Sequence, residues 1–161
     1  MYSENHKWFP NYVFTFSTNG VLYGKENVRN YVNKHGEHCA FSISIDGIKE
    51  KHDMTRKKID GSGSYEDVIK NLPMYLEENY NPSTKSTFAS ADLPFLKDSI
   101  IHLWDLGFKD VESNLVYEDV WKAGDPEIFE EQLKELADYM FESGRYKTNQ
   151  LHIFHLHEGC R

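Results

Sequence analysis

Ser44, Asp46 and Arg56 are the side chains whose types and spacing could hold one small polar ligand. In "FSISIDG", Phe41, Ile43 and Ile45 alternate with Ser42, Ser44 and Asp46, the pattern of a half-buried β-strand. Alternation puts Ser44 and Asp46 on one face of the pleat, at the strand's carboxyl end. A ribose diol is one fitting partner, because its hydroxyls donate to a carboxylate and exchange hydrogen bonds with a serine. Arg56, farther along the chain, carries a planar guanidinium suited to a carboxylate or phosphate. The plainer reading is that Asp46 closes a turn, Ser44 fills space and Arg56 is solvated; the pattern alone favours it.

A second group closes the chain in "LHIFHLHEGCR". His155 and His157 share one strand face, His152 faces the other way, and Cys160 follows. Zinc sites need three or four converging ligands, so a solvated strand end is the better reading. Gly61-x-Gly63 lacks the Gly-Lys-Ser/Thr of a phosphate loop and does not directly follow a strand. "TRKKID" reads as a solvated basic loop.

The elements that must position these residues alternate. Tyr12–Ser17 reads as a strand ending at the turn Thr18-Asn19-Gly20, and a helix follows with Val28, Tyr31 and Val32 inward, stopping at Gly36. The second strand runs Cys39–Ile45, and a long charged loop reaches Gly61-Ser62-Gly63. Ser64 and Asp67 form a capping-box pattern for a helix with Tyr65, Val68, Ile69, Leu72 and Leu76 inward, loosened at Pro73. Ser83–Phe88 is a short strand candidate. Leu93, Leu96, Ile100 and Leu103 make the stripe of the next helix, ended by Gly107. "KDVESNLVYE" reads as the fourth strand. Asp125-Pro126 caps a helix with Phe129, Leu133, Leu136, Ala137, Met140 and Phe141 on one face, and Gln150–Leu156 is the fifth strand.

This βαβαβαβαβ order predicts one α/β domain over residues 1–161, with parallel strands joined by right-handed crossovers. An open doubly wound sheet and an arc of a β/α barrel both fit, and both bind ligands at the carboxyl ends of strands. The net charge of −8 repels a phosphate backbone and speaks against nucleic-acid binding. No apolar run approaches the ~20 residues that span a bilayer, and no signal-peptide order opens the chain. Cys39 and Cys160 are no disulfide framework, so the default compartment is a reducing cytoplasm.

The ordered motifs carry a resemblance. Ser44-Ile45-Asp46-Gly47, His52-Asp53-Met54-Thr55-Arg56, Gly61-Ser62-Gly63-Ser64-Tyr65 and Val68-Ile69-Lys70-Asn71-Leu72 follow one another. This set resembles the segment after the fourth strand of radical S-adenosylmethionine (AdoMet) enzymes, above all anaerobic sulfatase maturases and related peptide maturases. "FTFSTNGVL" and "DLPFLKDSIIHLWDLGFKDVESNLVYEDVW" are similar to the flanking family segments, so the resemblance covers roughly Tyr12–Leu156.

The resemblance implies a partial (β/α)6, TIM-like barrel that here lacks its first two strands, since the first recognisable strand resembles the family's third. It implies that Ser44 contacts the ribose side of AdoMet, that Arg56 pairs with the methionyl carboxylate, and that Asn19 and Asp46 border the pocket. It also implies a peptide or protein substrate. The family's Cys-x-x-x-Cys-x-x-Cys, which holds a 4Fe–4S cluster, and its Gly-Gly-Glu-Pro motif are both missing from the sequence. Two cysteines 121 positions apart cannot replace three thiolates on one loop. The expectation is therefore a fragment, inactive alone in radical generation and arising by truncation, a shifted frame or a split gene. Family members often continue into a cysteine-rich extension where this chain stops. The rival expectation is a non-catalytic α/β binding domain of the same descent, whose open sheet edge pairs with another chain or a second copy.

Overall fold

The computed structural model describes residues 7, 11–116 and 121–153. Five strands, β1 (Phe14–Thr18), β2 (Cys39–Ile43), β3 (Ser83–Phe88), β4 (Asp110–Leu115) and β5 (Gln150–His152), form one parallel sheet in chain order. Between them run the helices α1 (Glu26–His35), α2 (Lys49–Thr55), α3 (Tyr65–Ile69), α4 (Leu72–Glu78), α5 (Leu96–Asp105) and α6 (Asp125–Ser143). A doubly wound sheet reverses its strand order at a switch point. This sheet does not.

Right-handed crossovers that all advance in one direction lay their helices on a single face. The strands show it. On β3, Thr84, Ser86 and Phe88 are buried while Lys85 and Thr87 are exposed, and β4 repeats the pattern with Val111, Ser113 and Leu115 inward. The bare face is polar: Thr15, Ser17, Lys85, Thr87 and Asn114 are exposed on it, and Lys85 pairs with Glu112 at 3.1 Å.

The helix-covered face holds the core. Ile43, Ile45, Val68, Phe88, Leu93, Leu96, Ile100, Leu103, Phe108 and Val111 are fully enclosed. Each such side chain contributes on the order of 2 kcal/mol relative to exposure. Polar groups also enter this core, in pairs. The Ser86 and Ser113 hydroxyls meet at 2.6 Å, and Thr84 Oγ1 accepts from the Ile45 N–H at 3.3 Å. The buried Tyr75 hydroxyl accepts from the Ser83 N–H at 3.0 Å and reaches the Phe41 carbonyl at 2.7 Å, tying β2 to β3 where their ladder is short.

The predicted strands and helices are present, with corrections. The first strand is displaced toward the turn, and the fifth ends at His152 within the described residues; His155, His157 and Cys160 lie outside them. The helix predicted across Pro73 is broken into α3 and α4, with Pro73 in the first turn of α4, where its missing N–H costs nothing. Gly107 takes φ +109°, and the Phe108 and Gly107 N–H groups return to the Leu103 and Trp104 carbonyls, a Schellman end.

Four expectations fail. The long loop after the second strand contains α2, whose buried residues are Lys51 and His52 and so leave no apolar stripe to detect. Ser64 makes no capping bond; the Asp53 carboxylate accepts the Tyr65 N–H at 2.9 Å in its place. On α6, Ala137 and Phe141 are exposed, and the buried contact centres on Leu136. The Asp125 carboxylate accepts the Lys122 N–H at 2.7 Å, and Gly124, at φ +96°, occupies the cap.

Candidate functional site

The carboxyl end of β2 carries a buried polar network. The Ser44 N–H extends the β1–β2 ladder to the Thr18 carbonyl at 2.8 Å, leaving the half-buried Ser44 between the buried Ile43 and Ile45. The chain then turns at Asp46-Gly47. Gly47 has φ +132°, and a Cβ there would overlap Ser99 of α5, so only glycine permits this approach.

Asp46 is buried, and its carboxylate collects three donors. Arg56 reaches it side-on through Nε and, at 3.1 Å, through Nη2; the Thr87 N–H adds a bond at 3.3 Å from the end of β3. The paired edge uses two of the five guanidinium N–H groups. Arg56 is only partly enclosed, with a third of its side chain exposed (32%). The end-on fork, Nη1 with the second Nη2 hydrogen, remains available for another planar anion.

Around this pair sit two buried bases. His52 Nδ1 accepts the Asp46 N–H at 3.2 Å, which leaves the imidazole proton on Nε2, 3.1 Å from Ser64 Oγ. Ser64 Oγ donates to the Arg56 carbonyl at 2.9 Å. Burial, above the smaller pull of Asp46, pushes the His52 pKa below its ordinary value. Lys51 donates to the Thr87 carbonyl, lies 3.5 Å from Asp92 and stands over the Phe88 ring at 4.2 Å. Burial lowers its pKa too, against the attraction of Asp46 and Asp92.

Asn19 occupies the loop after β1, its Oδ1 accepting the Val21 N–H at 3.2 Å. Asn71, in the break between α3 and α4, grips that loop by donating to the Gly20 and Val21 carbonyls at 2.9 and 3.0 Å. Asn19 and Arg56 line one cleft of about 860 Å³ with Leu22, Lys57, Lys58 and Ile59. Asp46 stands behind its Arg56 wall, and Ser44 is not among the lining residues. The four predicted site residues thus fall into a directly bonded pair, Asp46–Arg56, a cleft partner, Asn19, and a neighbour just beyond the end of β2, Ser44.

Sequence reasoning missed Lys51, Thr87 and the roles of His52, Ser64 and Asn71. The spacing of His52 and Arg56 is one helical turn, a signal that marks a shared helix face. Nothing in the sequence announces Lys51.

No protein-family model matches the chain, and no curated protein matches it. Solved structures do. The fold is similar to that of anSMEcpe, an anaerobic sulfatase-maturing enzyme. Native anSMEcpe with bound AdoMet matches at a TM-score of 0.66 and 17% identity, over 86% of this chain and 40% of that one. The same enzyme with AdoMet and the Cp18Cys peptide gives 0.66 and 17%, and with the Kp18Cys peptide 0.66 and 19%, each over 86% of this chain and 40% of the other. The chain therefore spans about two fifths of the length of the structures it matches. Among the described residues, no helix is long and apolar enough to cross a membrane.

Proposed function

We propose that this chain forms part of the AdoMet-binding barrel of a radical AdoMet enzyme that modifies a peptide or protein, as an arc of a (β/α)6 barrel. The observation that carries the reading is Arg56, oriented by a buried Asp46 at the carboxyl end of a parallel strand with its end-on fork unspent. Sequential strand order and a bare polar sheet face support the arc, because a barrel turns that face toward its interior. Similarity in fold to AdoMet-bound structures supports the ligand.

In this reading Arg56 binds the methionyl carboxylate through its free edge, and Asp46 fixes the guanidinium plane. The hydroxyl of Ser44, which lies outside the lining of the Asn19–Arg56 cleft, meets the ribose side, and Asn19 and Asp46 border the pocket. AdoMet, when bound in such an enzyme, supplies the 5′-deoxyadenosyl radical that abstracts hydrogen from the substrate. The 4Fe–4S cluster does not fit this chain: the sequence holds Cys39 and Cys160 and no three-cysteine motif, and Cys39 opens β2 at the opposite end of the strand from Asp46. No electron-transfer step is assigned to its residues, which bind and orient.

The test is AdoMet binding by titration calorimetry. Wild type binds weakly, Arg56→Ala loses binding, and Ser44→Ala weakens it. Absence of any heat with wild type, at AdoMet concentrations into the millimolar range, overturns the reading. A second reading, a binding module that pairs along its sheet edge, draws on β1. That strand bonds only to β2 among the described residues, and Tyr12 and Val13 just before it and Phe16 on it are exposed. A concentration-dependent dimer by light scattering, lost on Phe16→Lys, would favour it.

A further inference from the structure

We infer that His52, in its neutral form with the proton on Nε2, is the positioning residue that sets the Asp46–Arg56 pair, and hence the ligand-facing edge of Arg56. The inference rests on the proposed AdoMet reading for its ligand, but its geometry stands without one. His52 is fully enclosed and joined to both members of the pair. Its Nδ1 accepts the backbone N–H of Asp46, and its Nε2–H donates to Ser64 Oγ. The Ser64 hydroxyl then donates to the Arg56 carbonyl at 2.9 Å, and its backbone N–H reaches the same oxygen at 3.1 Å. The His52 carbonyl takes the Arg56 N–H at 3.0 Å. One imidazole therefore fixes the backbone beneath the carboxylate and beneath the guanidinium. A shift in either would turn the guanidinium plane out of its alignment with the Asp46 carboxylate.

The direction of every bond is forced. A backbone N–H can only donate, so Nδ1 must be bare; Ser64 spends its proton on a carbonyl, so Nε2 must supply one. A second proton on Nδ1 removes the acceptor for Asp46 and opposes an N–H to an N–H. The groups that would face the resulting charge are Asp46 from the β2 turn, Arg56 at the end of α2, Lys51 and Asp53 on its own helix, and the Tyr65 ring of α3 at 5.7 Å. Asp46 already faces Arg56, so little compensation remains. Burial holds the imidazole neutral below its ordinary range, in keeping with this role.

The experiment combines nitrogen NMR of the chain without ligand and calorimetry with AdoMet. Expected for wild type are an Nε2–H tautomer at His52 and a slowly exchanging Arg56 Nε–H, both lost together as His52 titrates below pH 6.5. His52→Phe keeps the ring volume and removes both bonds; it loses the Arg56 Nε–H protection and weakens AdoMet binding at least about tenfold. His52→Asn, which restores an acceptor for the Asp46 N–H, recovers most of the protection. A folded His52→Phe with unchanged Arg56 protection overturns the inference, as does an Nδ1–H tautomer or a His52 titration to which Arg56 is blind. If His52→Phe does not fold, the wild-type tautomer and titration still decide. Wild type that shows the Arg56 signal but no AdoMet heat sinks the ligand reading and leaves the His52 inference standing.

Discussion

The two ends of the sheet offer clefts of similar size and opposite character. At the amino end, about 900 Å³ is lined by Tyr23, Phe41, Glu78 and Asn79, with an Arg29–Glu78 pair whose side chains are 17% and 30% exposed. At the carboxyl end the cleft is about 860 Å³, but the charges behind it are sealed: Asp46 is 4% and Lys51 1% exposed. Volume does not separate the two ends. Desolvation does, because a charge kept from water aligns its partner strongly and holds a geometry before any ligand arrives.

That contrast can be broken by mutation. The largest effect is expected from Asp46→Ala, which strips Arg56 and the Thr87 N–H of their acceptor at once. It should cost about 3 kcal/mol in denaturant unfolding, the lower end for a broken buried pair because Arg56 can turn to water. Gly63→Ala drives a methyl into the Asp53 carboxylate that caps α3 and should cost about 2 kcal/mol by the same measurement.

Acid sharpens the comparison next. The His52 pKa is lowered on folding, so the unfolded chain binds the extra proton more readily. Stability is complete above pH 6.5, the ordinary imidazole value, and falls below it, by at most about 1.4 kcal/mol per pH unit. Thermal unfolding from pH 7.5 to 5.5 should show that slope in wild type and a shallower one in His52→Asn. The smallest effect belongs to the amino end. Glu78→Ala there removes a partly solvated pair and should cost about 1 kcal/mol or less. A cost equal to that of Asp46→Ala would erase the distinction.

The same contrast governs what could be read from the sequence. The stripe of Leu93, Leu96, Ile100 and Leu103 was legible because burial there is apolar and periodic, and all four side chains are enclosed. Ser83–Phe88 is legible only as a short strand candidate, because of its three enclosed residues, Thr84, Ser86 and Phe88, Phe88 alone is apolar. Helix α2 was not, because its inward face is Lys51 and His52, residues that count as polar in any pattern. The cap at Ser64 is not legible, because its competitor for the Tyr65 N–H, Asp53, packs close against Gly63 through tertiary contact. Asp46 and Arg56 were both recognised, yet each as a separate contact to a ligand. That they bind each other depends on the turn of α2, which the pattern could not supply.

The Ser86–Ser113 pair has a consequence for how the chain assembles. Two hydroxyls enclosed in a hydrocarbon layer are satisfied only when β3 and β4 align with Ser86 opposite Ser113. An apolar layer would tolerate sliding by two residues, since the same face stays inward. Here the slide that sets Ser86 against Val111 and Ser113 against Phe88 would strand both oxygens in a dry interior, a cost of about 1–3 kcal/mol for each unpartnered group. The pair thus acts as a notch that favours the observed register of the sheet's two most extensively joined strands over that misaligned one.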